Sequence, residues 1–115
     1  MTDITEFGDA QSGVPATKLS DTAFFSMHDL PQGLRDAAAR LNWTELMPVQ
    51  IQTIPRMLGG QDVMVQSQTG SGKTGAFLLP ILHRIDPTLG AVQALVLAPT
   101  RELAVQVSRD AEHLG

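Results

Sequence analysis

A stretch rich in glycine and hydroxyl side chains lies between a segment with strand-like periodicity, 62–66, and one with helix-like periodicity, 73–85. It comprises Ser67, Gln68, Thr69, Gly70, Ser71, Gly72, Lys73 and Thr74. Glycines at two of these positions can adopt backbone angles that turn amide N–H groups inward, and the helix N-terminus adds a partial positive charge. This order of strand, loop and helix predicts a cradle for phosphate groups.

Two side chains at the end of this loop have the chemistry that a nucleoside triphosphate requires. Lys73 can reach the β- and γ-phosphates as a point charge, and the Thr74 hydroxyl can bind a magnesium ion. The simpler interpretation is a flexible serine- and glycine-rich turn without a ligand. We favour the phosphate site because the loop lies between the two elements that such a site needs.

Composition limits the classes of protein that the chain can belong to. It has 115 residues, a net charge of −4 and no cysteine, which suits one small domain or part of a larger one. The negative charge argues against nucleic-acid binding by bulk charge but leaves a local groove possible. Disulfides and thiolate metal sites are excluded. Since no signal peptide or membrane-spanning run is evident, we expect a cytoplasmic protein without a membrane partner.

Apolar spacing predicts the elements that position the loop. Residues 1–20 lack periodicity and are expected to form a mobile tail. A short apolar run, 94–98, is typical of a buried parallel strand. Trp43 is expected to pack against the first helix. Helices are predicted over 31–41, 48–58, 73–85 and 101–114, with Thr100 as the N-cap of the last.

The order strand, helix, strand, helix predicts a parallel sheet joined by a right-handed crossover. Two parallel strands do not make a complete domain. We therefore interpret the chain as the opening part of a larger α/β domain.

Three motifs, in order, resemble those of DEAD-box ATP-dependent RNA helicases. Phe25 together with residues 47–50 resembles the Q motif, 67–74 resembles motif I, and 99–104 resembles motif Ia. The likeness extends from about residue 24 to residue 115. It implies an incomplete RecA-like P-loop NTPase domain over 21–115, with parallel strands and covering helices. The chain departs from the family pattern at Asn42, Leu46, Met47 and Ser67.

By this resemblance, Gln50 reads the adenine of ATP and Phe25 stacks on its ring. A side-chain amide offers both a donor and an acceptor, as does the N6/N7 edge of adenine, so ATP should be preferred over GTP. Residues 67–74 would hold the phosphates with Mg²⁺. Taken singly, Phe25 is better interpreted as a core residue and Gln50 as a solvated helix residue. Together, at this spacing and upstream of the loop, they favour the binding roles.

Motif Ia implies contacts with RNA. Pro99 ends the predicted strand, which frees the Thr100 hydroxyl and the first helix amides for a phosphate, and Arg101 supplies charge. Such contacts with the backbone are independent of RNA sequence. The simpler interpretation is a helix cap followed by a solvated arginine.

The implied function is that of an ATP-dependent RNA helicase that locally separates duplexes, with Lys73 and Thr74 in catalytic positions. The Asp-Glu-Ala-Asp motif and the second RecA-like domain of the family are absent from the sequence, so we expect this chain alone to be inactive and to need the rest of the helicase core as its partner. One alternative is a stand-alone ATP-binding or regulatory fragment. Another is a different P-loop enzyme, such as a small kinase.

Overall fold

Helices dominate the part of the chain that the computed structural model describes, which is residues 3–7, 25–68, 70 and 72–115. The helices are α1 (Gln32–Arg40), α2 (Pro48–Leu58), α3 (Lys73–Arg84) and α4 (Arg101–Leu114), and a 3-10 turn (Met27–Asp29) precedes them. The strands are β1 (Asp3–Phe7) and β2 (Asp62–Gln66). The four predicted helices and the strand before the glycine-rich loop are confirmed. None of the helices within the described residues is both long and apolar enough to cross a bilayer.

Local signals explain where α1 and α2 begin and end. Leu34, Ala37 and Ala38 recur at helical spacing and are the buried face of α1. Pro48 occupies the first position of α2, where its missing N–H leaves no helical hydrogen bond unmade. Two consecutive glycines follow α2, and Gly60 adopts a positive φ of 81° that few other residues tolerate.

One apolar cluster joins the helices. Ile54 of α2 and Leu79 of α3 are fully buried at its centre, and these two helices make the most extensive contact with each other. The cluster consists of Leu30, Leu34, Leu46, Ile54, Leu78, Leu79 and Leu114. Because α3 starts at the end of the glycine-rich loop, this core holds that loop against the start of α2.

The sheet corrects two expectations. β1 pairs with β2 in antiparallel register, from Asp3 opposite Gln66 to Phe7 opposite Asp62. The expectation of a parallel sheet is therefore wrong for the described strands, and the expectation of a mobile tail over 1–20 is wrong for residues 3–7; the rest of that tail lies outside the described residues. A strand with an open edge accepts an extended segment in either direction, and its own sequence does not specify which.

The apolar run 94–98 is the third correction, because it is not a strand. The side chains of Leu95 and Leu97 are 78% and 85% exposed. A buried parallel strand needs hydrogen-bonded neighbours and a covering layer on both faces. Within the described residues, β1 and β2 pair only with each other.

Candidate nucleotide-binding site

The glycine-rich loop joins β2 to α3, as the spacing of its residues predicts. We call residues 67–72 the phosphate loop, after the function predicted for them. The strand ends at Gln66, and α3 begins at Lys73 after the N-cap Gly72. Gly70 and Gly72 have φ values of 79° and 89°, the left-handed region that glycine enters without strain. Both glycines of the motif therefore adopt the backbone conformation that is expected of them. Thr69 and Ser71 lie outside the described residues.

Lys73 folds back across the loop. Its Nζ donates a hydrogen bond of 2.6 Å to the backbone oxygen of Ser67. The ammonium group is thereby held beside the first residue of the loop, and a phosphate would have to share or replace this contact. Thr74 follows in the first turn of α3, half-buried.

Gln50 connects α2 to the phosphate loop. Its Oε1 accepts a hydrogen bond of 3.0 Å from the Met47 backbone N–H, and its Nε2 donates one of 3.3 Å to the Gly72 backbone oxygen. The first contact is one half of a capping box, in which the side chain at the third helical position accepts from the backbone N–H of the N-cap residue. Gln50 is only 1% exposed, so it is not a solvated helix residue.

The start of α3 leaves no room for side chains at two glycines. A Cβ atom on Gly72 would lie 2.6 Å from the Met47 sulfur and 2.8 Å from the Gln50 Nε2. On Gly75 it would lie 2.6 Å from the Cη2 atom of Trp43. The segment before α2 therefore packs directly on the backbone at the end of the phosphate loop.

A cavity of about 520 Å³ opens beside this contact. Its walls include Trp43, Gln50 and Thr74, together with Asp110 and His113 from the last turns of α4. The volume falls in the range of small-molecule sites. A cavity that contains both Gln50 and the end of the phosphate loop has the two features needed to bind a base and its phosphates together.

Two aromatic residues stand in different relations to this cavity. Phe25 is half-buried and packs on the apolar cluster; it is not among the residues that line the cavity. Trp43 packs on the same cluster and also lines the cavity. The sequence predicted only that Trp43 packs against the first helix. Its place in the connection that leads to Gln50 is the signal that could have marked it as a residue that lines the cavity.

The motif Ia residues lie at the other end of α4. Thr100 is the N-cap, and its Oγ1 accepts a hydrogen bond of 3.2 Å from the Leu103 N–H. Pro99 and Arg101 are exposed. Because Asp110, the first residue of α4 that lines the cavity, lies nine positions after Arg101, about 14 Å of helix separates them. The structure thus brings Gln50 and the phosphate loop together, but it does not bring 99–101 to them.

These features define an α/β protein with a glycine-rich loop between a strand and a helix. Comparison with known proteins identifies the family. A family model described as DEAD/DEAH box helicase matches residues 47–115. This is more than half of the chain, which therefore belongs to the DEAD/DEAH box helicase family. Such a helicase domain implies a RecA-like fold.

Individual relatives agree with this assignment. The chain is 45% identical over 94 residues to the DEAD-box ATP-dependent RNA helicase CshA of Bacillus subtilis (strain 168), a match that covers 82% of this chain and 19% of that protein. It is 56% identical over 73 residues to the ATP-dependent RNA helicase DeaD of Klebsiella pneumoniae, which covers 64% of this chain and 11% of the relative. The chain therefore spans a fifth or less of the length of these relatives.

Proposed function

We propose that this chain binds ATP with Mg²⁺ as the opening part of the first RecA-like domain of a DEAD-box ATP-dependent RNA helicase. The observation that carries the proposal is the hydrogen bond from Gln50 to Gly72. It brings a side-chain amide suited to adenine to the end of a loop suited to phosphate. The names of the relatives, which are ATP-dependent RNA helicases, support the same assignment.

The phosphate loop would hold the triphosphate. Backbone amides between Ser67 and Gly72 would donate to phosphate oxygens, and the ammonium of Lys73 would move from the Ser67 carbonyl to the β- and γ-phosphates. The Thr74 hydroxyl would bind Mg²⁺ together with phosphate oxygens and water, which are the hard oxygen ligands that this ion prefers. Within the described residues, no group of three or more His, Asp or Glu could hold a metal by itself. The nucleotide would therefore supply part of the magnesium site.

Gln50 would choose the base. Its Oε1 and Nε2 each have one further hydrogen-bonding position beyond the contacts with Met47 and Gly72. An acceptor and a donor side by side match the N6/N7 edge of adenine and mismatch that of guanine. Phe25 supports this site through the core on which it packs. A direct contact between its ring and the base stays a prediction.

The N-terminus of α4 would contact RNA. The exposed Arg101 supplies a positive charge beside the first amides of the helix, and the Thr100 hydroxyl can donate to a phosphate while its oxygen caps Leu103. Such contacts position a nucleic acid without reading its bases. The distance of this end of α4 from the cavity is consistent with separate ligands at the two ends.

Hydrolysis and unwinding are proposed for the longer protein. Hydrolysis needs carboxylates that hold magnesium and orient water, and the helicase family supplies them from a motif that this sequence lacks. The run 94–98 would pair with parallel strands in the complete domain, which would cover its exposed leucines. This chain alone should bind nucleotide without turnover.

Calorimetric titration of the 115-residue chain with Mg·ATP tests the proposal. We expect saturable binding that Lys73→Ala weakens by about tenfold or more, since the variant removes a charge-assisted phosphate contact. Arg84→Ala is the matched control, because Arg84 is an exposed cation at the opposite end of the same helix. GTP should bind more weakly than ATP.

Three outcomes would contradict the proposal: the absence of ATP binding, equal affinity for GTP, or equal loss in the two variants. Phosphate release that depends on Lys73 would refute the expected inactivity. For RNA, the salt dependence of single-strand binding should decrease by about one unit of slope in Arg101→Ala. It should remain unchanged in Arg109→Ala, which alters an exposed arginine further along α4. Equal slopes in the two variants would refute the RNA contact.

A further inference from the structure

The Met47 side chain contacts the end of the phosphate loop and lines the cavity. Met47 is the N-cap residue of α2, and its sulfur would be 2.6 Å from a Cβ atom placed on Gly72. The sulfur therefore packs on the backbone of the last residue of the loop. Among the methionines that the structure describes, at positions 27, 47, 57 and 64, Met47 is the one that lines the cavity. It is 40% exposed and so is open to small molecules in solvent.

This contact includes the amide of Gln50. The same Cβ position on Gly72 lies 2.8 Å from the Gln50 Nε2, and that nitrogen donates the 3.3 Å hydrogen bond to the Gly72 oxygen. The sulfur and the amide nitrogen thus meet at one point beside the Gly72 Cα. A thioether is apolar and only a weak acceptor, so it leaves the amide to the Gly72 carbonyl.

Oxidation of the sulfur would change this contact. The thioether attacks one oxygen of hydrogen peroxide, an S–O bond forms and the O–O bond breaks. The proton of the attacked oxygen passes to the leaving hydroxide, which departs as water. The sulfur loses two electrons to the peroxide and becomes a polar sulfoxide. Its oxygen needs space in a contact that has no room for a further carbon on Gly72, and it accepts hydrogen bonds in competition with the Gly72 carbonyl.

We propose that Met47 is a redox-sensitive modification site, at which oxidation by peroxide loosens the contact between α2 and the phosphate loop and weakens nucleotide binding. This inference rests on the proposed nucleotide-binding function. Gln50 is the connection through which the change acts, because its amide would turn from Gly72 to the sulfoxide oxygen. Methionine sulfoxide reductases reverse the step, since a dithiol of the enzyme takes up the oxygen as water and becomes a disulfide.

Peptide mass spectrometry of the 115-residue chain after graded exposure to hydrogen peroxide tests the site. Met47 and Met64, which are 40% and 58% exposed, should be oxidised before the half-buried Met27 and Met57. Saturating Mg·ATP should slow the oxidation of Met47, because a nucleotide would fill the cavity, and should leave Met64 unaffected. The inference would be overturned if Met47 resisted peroxide that oxidises Met64, or if Mg·ATP gave it no protection.

Calorimetry of two variants tests the consequence for binding. Met64→Leu leaves Met47 as the exposed methionine within the described residues and does not alter the cavity lining. Oxidation of this variant should weaken Mg·ATP binding by about fivefold or more. Methionine sulfoxide reductases for both sulfoxide epimers, supplied with a dithiol, should restore it. In Met47→Leu, peroxide should leave the affinity within about twofold of the value before treatment, although Met64 is oxidised.

The outcomes separate this inference from the proposed function. If the unoxidised chain binds no ATP, both are refuted. If it binds ATP and the oxidised Met64→Leu variant retains its affinity within about twofold, only the role of Met47 is refuted. The same conclusion follows if peroxide weakens binding in Met47→Leu as strongly as in Met64→Leu. Should Met47→Leu fail to fold, as judged by circular dichroism, the loss and its reversal by the reductases in Met64→Leu still decide.

Discussion

The region around the phosphate loop, residues 41–79, and the segment 86–105 use apolar residues in opposite ways. In the first region, Val49, Ile54 and Leu79 are completely buried. In the second, Val92, Leu95 and Leu97 are each more than three-quarters exposed, although their sequence is at least as apolar. Hydrophobicity alone therefore does not predict burial in this protein.

The difference lies in where the partners come from. Residues of the phosphate-loop region find their partners within that region: Gln50 bonds to Met47 and reaches Gly72, and Trp43 packs on Gly75. A central parallel strand needs partners from distant parts of a chain. Segment 86–105 has no such partners within the described residues, so it keeps its apolar side chains in solvent. Four predictions test this comparison.

The largest expected difference is between two leucines. Leu79→Ala should lower the free energy of unfolding by about 2–5 kcal/mol, because it leaves a cavity in the packed core. Leu97→Ala should change it by less than about 0.5 kcal/mol, because Leu97 is 85% exposed. Urea denaturation of both variants measures the difference. A comparable loss in Leu97→Ala would show that segment 86–105 is covered in solution and would remove the contrast.

A smaller loss of stability is expected when the contact between α2 and the phosphate loop is removed. Gln50→Ala should destabilise the chain by about 1–3 kcal/mol, because it leaves the Met47 N–H and the Gly72 carbonyl without their amide partner. Thermal unfolding followed by circular dichroism is the measurement. Gln61→Ala, at an exposed position, is the control. Equal stability of the two variants would mean that the hydrogen bonds of Gln50 contribute nothing to this region.

Asn42 tests the connection that carries Trp43. Its φ of 59° is the only positive value among the described non-glycine residues. Asn42→Ala should cost about 1 kcal/mol, because alanine lacks the local tolerance of asparagine for the left-handed conformation. Asn42→Gly, which adopts a positive φ without strain, should stay within about 0.5 kcal/mol of the unaltered chain. Chemical denaturation measures the free energy of unfolding of both variants. Equal values for the two would contradict the prediction.

The smallest effect concerns acid stability at the start of the exposed segment. The Thr88 hydroxyl, and secondly the Thr88 N–H, donate to Asp86 and lower the pKa of its carboxyl below the usual 3.8. Because the folded pKa is depressed, this contribution is present above the unfolded pKa and is lost as pH falls through the folded one. NMR titration should therefore show the Asp86 pKa rising towards 3.8 in Thr88→Val. An unchanged pKa would refute the role of Thr88.

Periodicity and end signals predicted the helices because each depends on residues a few positions apart. Pro48, the glycines after α2 and the N-cap Thr100 all mark helix ends where the structure has them. The glycine-rich loop was predicted for the same reason. The pairing of β1 with β2 was not, because a lone strand does not encode the direction or distance of its partner.

The candidate site, too, was predicted in part from the sequence and in part required the tertiary structure. Residue types and order identified Gln50, Lys73 and Thr74 as candidate nucleotide-binding residues. The close approach of Gln50 to Gly72 and the cavity that Trp43 lines required α2 and α3 to pack on each other. Phe25 packs on the core, and its contact with the base stays a prediction.

The sequence by itself determined the helices, the glycine-rich loop and the membership of a helicase family, because these depend on short-range order along the chain. Only the tertiary structure decided that Trp43 meets Gly75, that β1 pairs antiparallel with β2, and that 94–98 stays exposed. The physical reason is that packing and strand pairing join residues far apart in sequence. Local propensity does not specify which distant surfaces will meet.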